Sequence, residues 1–151
     1  MNQIAALLSP ERILVDLAVG SKAALFDAID RLFARDAGLA AGAVASSLAA
    51  RERLGSTGLG QGVAIPHGRI KGLGRALGGF ARLAQPVAFD APDAKPVTQV
   101  FVLLVPEQAT EAHLQLLSEL AQMFSEKTFR EALAAAADVA AVQRVFDGWR
   151  P

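Results

Sequence analysis

Apolar residues recur with two different periods in the first third of the chain. From residue 13 to residue 19 every second position is apolar, which predicts a β-strand. The side chains expected together on one face of this strand are Ile13, Val15, Leu17 and Val19. Ser21 then predicts the start of a helix that keeps helical apolar spacing up to Gly38. A second helix is predicted over about 43–54, ended by Gly55.

The rest of the chain predicts a group of strands followed by helices. The strands are predicted at 63–65, 76–84, 87–89 and 98–106. The last of these is apolar at nearly every position, which is typical of a central strand covered on both faces. Helices follow over about 111–126 and in two later segments, the last beginning at Asp138. This order predicts one domain, residues 1–151, with a mixed β-sheet between layers of helices.

Composition narrows the classes of partner. Hydrophobic residues make up 52% of the chain, and 15 basic residues balance 15 acidic ones. The zero balance argues against a general electrostatic grip on nucleic acid, and the absence of cysteine excludes disulfides and thiolate chemistry. The N-terminus does not resemble a signal peptide, and the apolar runs are too short to cross a bilayer. We therefore expect a cytoplasmic protein that does not insert into membranes.

The most glycine-rich stretch, GSTGLGQGVAIPHG at 55–68, contains one of only two histidines. Its glycines do not match the G-x-G-x-x-G fingerprint of dinucleotide sites, and no Gly-Lys-Ser/Thr follows them as in a Walker loop. His67 and His113 are too few for a histidine-based metal site, and no carboxylates stand at ligand spacing. The stretch therefore predicts neither a bound cofactor nor a metal.

Two interpretations of this stretch remain open from the residue types. It is either an ordinary turn with a solvated histidine, or a site where His67 carries a phosphoryl group. Neutral imidazole is a good nucleophile near neutral pH, and glycines let backbone N–H groups turn toward an anion. Ser56 and Thr57 offer hydroxyl donors, Arg51 offers a positive charge, and Pro66 limits the direction of the His67 ring.

The other two candidates also have a structural alternative. His113 shares a helical stripe with Leu117, Leu120 and Phe124, a pattern that also suits a packed helix histidine. Arg51 stands at a predicted helix end, where arginines are commonly only surface charges. The residue types alone do not decide between these roles.

Two long motifs resemble a known family. AARERLGSTGLGQGVAIPHG, from Ala49 to Gly68, is similar to the signature of enzyme IIA domains of the fructose–mannitol class in the bacterial phosphotransferase system. Its GSTG run most resembles the nitrogen-regulatory branch. The segment PVAFDAPDAKPVTQVFVLLVPEQATEAHLQLLSELAQMF, from Pro86 to Phe124, continues the resemblance. The family's fold is a three-layer α/β/α sandwich around a mixed sheet, which agrees with the predicted element order.

The resemblance also implies roles for named residues. His67 would accept a phosphoryl group, on Nε2, from the phosphohistidine of a phosphocarrier, HPr or its nitrogen-branch relative. His113 would lie close to it, Arg51 would be its basic partner, and Ser56 and Thr57 would be the hydroxyl pair beside the phosphate.

Three functions follow as hypotheses. The first is a phosphorelay protein that regulates target proteins through its phosphorylation state. The alternatives are a sugar-transport enzyme IIA that passes phosphate to a IIB domain, and a non-catalytic binding module of the same fold. Leu59, Val63 and Ile65 flank the site in sequence and are expected to contact a partner there.

Overall fold

The computed structural model describes residues 2–108 and 110–151. The strands are β1 (Ile13–Leu17), β2 (Gly58–Gly60), β3 (Val63–Ala64), β4 (His67–Ile70), β5 (Leu77–Val87) and β6 (Val97–Pro106). The helices are α1 (Lys22–Ala37), α2 (Ala43–Glu52), α3 (Glu111–Ser125), α4 (Lys127–Ala135) and α5 (Val139–Gly148). Two short 3₁₀ turns, Ala5–Leu7 and Pro10–Arg12, precede β1.

One mixed sheet organises these elements, with β6 at its centre. Strand β5 pairs antiparallel with one side of β6 and parallel with β1. On its other side β6 pairs parallel with both β3 and β4, and β2 completes the edge beside β3. Because β3 and β4 share one side of β6, the chain between them passes along the central strand.

Helices cover both faces of the sheet, so the structure has three layers. Helices α1 and α2 pack on one face, and α3, α4 and α5 pack on the other. Strand β6 serves both cores, since Phe101 and Leu103 face α3–α5 while Val102 and Leu104 face α1 and α2. This explains its nearly continuous apolar sequence, and it confirms the predicted central strand and α/β/α sandwich.

Strand β1 departs from the predicted alternation. Ile13 and Val15 belong to the core under α3–α5, but Leu17 and Val19 pack on the α1–α2 side. Asp16 between them has a φ of 55°, and the pairing with β5 shifts register there. Because Asp16 adopts the left-handed conformation, the side chains after it point to the opposite face of the sheet. The expectation that all four residues share one face is therefore wrong.

The predicted helix starts and ends are mostly confirmed. The Ser21 hydroxyl accepts the Ala24 N–H at 3.1 Å, and Asp138 accepts the Ala141 N–H at 2.8 Å. Gly38 ends α1 in the left-handed conformation, with φ 69°. Strands β2 and β4, inside the glycine-rich stretch, were not predicted. Among the described residues, the helices are too short or too polar to cross a membrane.

Candidate functional site

His67 lies at the start of strand β4 rather than on a free loop. It pairs with Leu103 of β6, and the Leu103 N–H donates to the Pro66 carbonyl at 3.0 Å. The glycine-rich stretch therefore contributes three short strands to the sheet: β3 and β4 pair with the central strand β6, and β2 pairs with β3. Its backbone holds His67 at the edge of the sheet, beside α2.

The His67 ring has one nitrogen bonded and one nitrogen free to react. Nδ1 lies 2.9 Å from the carbonyl oxygen of Ile65. A carbonyl only accepts hydrogen bonds, so Nδ1 carries the hydrogen and Nε2 of the neutral ring keeps its lone pair. The ring is half-buried, with Nε2 as its candidate nucleophile.

Burial lowers the pKa of His67 below its ordinary value of 6.5. Desolvation of the charged ring is the largest cause, and the positive charge of Arg51 acts in the same direction. The hydrogen bond to Ile65 and the negative charge of Glu52 oppose it. Near neutral pH the ring is consequently neutral, which is the form that can act as a nucleophile.

Helix α2 packs directly on β4 and brings Arg51 to His67. The Ser47 hydroxyl donates to the Arg69 carbonyl at 2.9 Å. A side chain at Gly68 would overlap that hydroxyl, so glycine permits the close packing of helix and strand. Arg51 follows Ser47 by four residues and thus lies on the same face of α2.

Arg51 is held by the backbone rather than by an acid. Its Nη1 donates to the Gly55 carbonyl at 2.8 Å. Within residues 2–108 and 110–151 no carboxylate lies within salt-bridge distance of its guanidinium. A guanidinium has five N–H donors, so most of them remain free for an anionic ligand.

A cavity of about 430 Å³ opens in front of His67. Its polar lining includes Ser47, Arg51, Arg69 and His113, and its apolar lining includes Leu54 and Leu114. A second cavity of about 180 Å³ also reaches His67 and Arg51, and it is lined by Ser56 and Thr57. The structure thus gathers all five residues singled out in the sequence around these two adjoining cavities.

His113 has a structural role in addition to its place in the cavity. Its Nδ1 accepts the Thr110 N–H at 2.9 Å, which completes a capping box at the start of α3. Because Nδ1 accepts, the hydrogen of the neutral ring is on Nε2. His113 therefore caps α3 through Nδ1 and also lines the cavity of His67, with its ring hydrogen on Nε2.

The hydroxyl groups of Ser56 and Thr57 already have acceptors. The Ser56 hydroxyl donates to the Phe89 carbonyl, and the Thr57 hydroxyl donates to Glu52 Oε1 at 2.6 Å. Thr57 is also buried, with 6% of its surface exposed. For either hydroxyl to donate to a phosphate, its present hydrogen bond would have to be exchanged.

The apolar rim of the site differs from the expected one. Val63 and Ile65 are buried in the core, with 0% and 4% of their surface exposed, so the expectation that they contact a partner is wrong. Both side chains belong to the core under α3–α5, Val63 from strand β3 and Ile65 from the residue that follows it. The exposed large apolar side chains around the site are Leu54, Leu59 and Leu114.

Sequence reasoning missed Glu52 and Lys22, which hold the loop beside His67. Lys22 Nζ lies 2.8 Å from Glu52 Oε2, although the two residues are far apart in sequence. Only the packing of α1 against α2 brings them together, so no local pattern could reveal the pair. In the part of the chain that the structure describes, three or more histidine or acidic side chains nowhere converge as for a metal ion.

Comparison with known proteins places the chain in a family. Residues 6–148 match the family described as "Phosphoenolpyruvate-dependent sugar phosphotransferase system, EIIA 2". A nitrogen regulatory protein of Pseudomonas aeruginosa is 41% identical over 146 residues, covering 96% of this chain and 95% of that protein.

Solved structures agree in fold. Nitrogen regulatory protein IIA-Ntr from Neisseria meningitidis is 49% identical with a TM-score of 0.90, covering 95% of this chain and 99% of that one. The mannitol enzyme IIA of Escherichia coli, solved in complex with phosphorylated enzyme IIB, is 19% identical. It has a TM-score of 0.77 and covers 94% of this chain and 98% of that one, which shows the shared fold. The chain therefore belongs to the EIIA 2 family of the phosphotransferase system, and within that family it is similar to the nitrogen regulatory proteins.

Proposed function

We propose that the protein accepts a phosphoryl group on Nε2 of His67 from the phosphohistidine of a phosphocarrier, HPr or its nitrogen-branch relative. The observation that carries this proposal is the 2.9 Å contact between His67 Nδ1 and the Ile65 carbonyl. It leaves Nε2 with a lone pair, and the cavity in front of His67 contains Arg51 and His113. Family membership supports the same reaction class.

The transfer step balances without a cofactor. The Nε2 lone pair forms the new N–P bond while the N–P bond in the carrier breaks, and the bonding electrons return to the carrier's imidazole. His67 keeps its hydrogen on Nδ1, so the phosphorylated ring gains positive charge. The hydrogen bond to the Ile65 carbonyl becomes charge-assisted and stabilises that form.

The neighbouring residues have separate roles in this step. Arg51 meets the negative charge of the phosphoryl group with its free N–H donors, and His113 donates from Nε2. We keep Ser56 and Thr57 as proposed phosphate-side residues. Because both hydroxyls already donate within the protein, we propose that they shape the loop. They would donate to the phosphate only if those hydrogen bonds were exchanged.

A regulatory role is favoured over sugar transport. The two most similar proteins compared above are named nitrogen regulatory proteins, whereas the mannitol enzyme IIA is only 19% identical. We propose that the chain acts as one domain in the cytoplasm, and that its phosphorylation state controls the binding of target proteins. The alternatives are passage of phosphate to a IIB domain, and docking without phosphorylation.

Incubation with a phosphorylated phosphocarrier separates these functions. The proposal predicts acid-labile phosphate on the wild type, one per chain, and none on His67→Gln. A binding module would take up no phosphate in either form, which would contradict the proposal. Addition of a fructose-type or mannitol-type IIB domain then tests the transport alternative, since rapid loss of phosphate to IIB would favour transport over regulation.

A further inference from the structure

The hydrogen bond that fixes the His67 ring is itself held by a second strand. The Ile65 carbonyl faces His67, and the N–H of the same residue donates to the Thr57 carbonyl at 3.0 Å. The backbone of Ile65 is thus fixed on both sides. The position of the acceptor carbonyl depends on the position of Thr57.

Thr57 is in turn held by hydrogen bonds to the Glu52 carboxylate. Its hydroxyl donates to Glu52 Oε1 at 2.6 Å, and its N–H lies 3.3 Å from Oε1 and 3.2 Å from Oε2. Both donors of Thr57 therefore converge on Glu52. Since Thr57 is buried, removing the carboxylate would leave both of its donors without their present acceptor.

Glu52 is built into the structure rather than exposed to solvent. It is the last residue of α2, and only 7% of its side chain is exposed. Lys22 compensates its charge with Nζ 2.8 Å from Oε2, and Lys22 also donates to the Phe89 carbonyl at 3.1 Å. A buried carboxylate needs such a partner, since an unpaired charge there would be strongly destabilising.

These contacts form one continuous path of hydrogen bonds from Lys22 to the His67 ring. It runs through the Glu52 carboxylate, both donors of Thr57, the Thr57 carbonyl and the Ile65 peptide. Arg51, the residue before Glu52, donates a hydrogen bond to the Gly55 carbonyl in the same loop. Two adjacent residues of α2 thus position the loop that, through Ile65, holds Nδ1 of the His67 ring.

We propose that Glu52 is a positioning residue for phosphoryl acceptance, which rests on the proposed role of His67. Glu52 touches neither the phosphoryl group nor the ring. It holds Thr57, and through Thr57 and Ile65 it keeps the His67 hydrogen on Nδ1 and the Nε2 lone pair directed into the cavity. Lys22 holds the carboxylate in place.

The test compares Glu52→Ala, Glu52→Gln and Thr57→Val with the wild type. Glutamine keeps an oxygen that accepts from Thr57, alanine keeps none, and valine removes only the Thr57 hydroxyl. Glu131→Ala is the matched control, because Glu131 is exposed on α4. Thermal unfolding identifies any variant that fails to fold. If Glu52→Ala fails, Thr57→Val carries the test through the His67 tautomer, which should become mixed; an unchanged tautomer in Thr57→Val would overturn the proposal.

Two readouts are measured for each folded variant. The first is the tautomer of His67 from its ¹⁵N chemical shifts in the unphosphorylated protein. The second is the rate of phosphoryl transfer as a function of the concentration of phosphorylated phosphocarrier. A purely structural role would not change the tautomer, and a docking role would change KM rather than kcat.

The proposal predicts a mixture of tautomers in Glu52→Ala, with kcat reduced about tenfold and KM nearly unchanged, as for other partners that orient a reacting group. Glu52→Gln lies between the wild type and Glu52→Ala, since its oxygen still accepts from Thr57 but its amide no longer pairs with Lys22. An unchanged tautomer and kcat in Glu52→Ala would overturn the proposal, as would a Glu52→Gln variant as slow as Glu52→Ala. The tautomer measurement needs no phosphorylation, so it remains decisive even if the wild type accepts no phosphate and the proposed function fails.

Discussion

The carbonyl oxygen of Ile65 lies 2.9 Å from Nδ1 of His67, two residues further along the chain. Pro66 between them donates no hydrogen bond, but its own carbonyl is held by the N–H of Leu103 in the central strand. The ring is therefore oriented by the backbone of the sheet. This relationship decides which ring nitrogen is available to react.

The lowered pKa of His67 makes stability depend on pH in a defined direction. The unfolded chain protonates this ring near 6.5 and the folded protein only at lower pH, so unfolding takes up a proton between those values. The contribution of His67 to the free energy of unfolding is full above 6.5. It is lost as the pH falls through the pKa of the folded state.

Urea unfolding across this pH range, for the wild type and His67→Gln, checks the prediction. The free energy of unfolding of the wild type should fall more steeply with acidification than that of the variant. Parallel curves, or a wild type that gains stability relative to the variant, would contradict the lowered pKa.

Arg51→Gln should slow phosphoryl transfer by about 100-fold or more, because one charged donor facing developing charge is typically worth ~2.7–4 kcal/mol. Arg51→Lys should recover only part of the rate, since an ammonium cannot reproduce the planar fork of donors. Arg53→Gln is the control, because Arg53 lies just past the end of α2 and is exposed. Equal rates for the Arg51→Gln and Arg53→Gln variants would exclude a role for Arg51 in the transfer step.

His113 combines a cap and a donor, and two substitutions separate these roles. His113→Ala loses both, so its free energy of unfolding should fall by about 1 kcal/mol and its transfer rate should fall as well. His113→Glu can still accept the Thr110 N–H and should keep most of the stability. Stopped-flow transfer assays should find it slow all the same, because a carboxylate donates no hydrogen bond to the phosphoryl group; a wild-type rate would leave His113 as a helix cap only.

Leu54 and Leu114 line the cavity of His67 with 84% and 62% of their surface exposed. We expect a partner to cover them, because exposed apolar residues beside a reactive group commonly belong to a docking surface. Serine at both positions should raise KM for the phosphocarrier by roughly tenfold, about 1.4 kcal/mol, without lowering Tm. An unchanged KM would show that the carrier docks elsewhere.

The layered fold was predictable because its signals are strong and local. The helix caps at Ser21 and Asp138 and the apolar run of β6 each indicate one structure. The reversed faces of β1 were not predictable, since the cause is the single left-handed residue Asp16. An aspartate tolerates the left-handed conformation but does not require it. The sequence pattern alone therefore predicts an uninterrupted alternation of faces.

The candidate site was predictable in its residue types but not in its hydrogen bonds. His67, Arg51 and His113 line one cavity, as the family resemblance implied. The hydrogen bonds from Thr57 to Glu52 could not be read from the sequence, because the Glu52 carboxylate is held by Lys22, which it meets only through the packing of α1 on α2. The burial of Val63 and Ile65 was not predictable for a different reason: β3 has only two residues, too few to show which face is covered.

The most direct test of the account is to identify the phosphorylated nitrogen by NMR. Protein labelled with ¹⁵N is phosphorylated by its phosphocarrier, and the ¹⁵N shifts and phosphorus couplings of both His67 ring nitrogens are measured. The account predicts phosphorus bonded to Nε2 and a hydrogen retained on Nδ1, bonded to the Ile65 carbonyl. Phosphorus on Nδ1 of His67, or on His113, would contradict it.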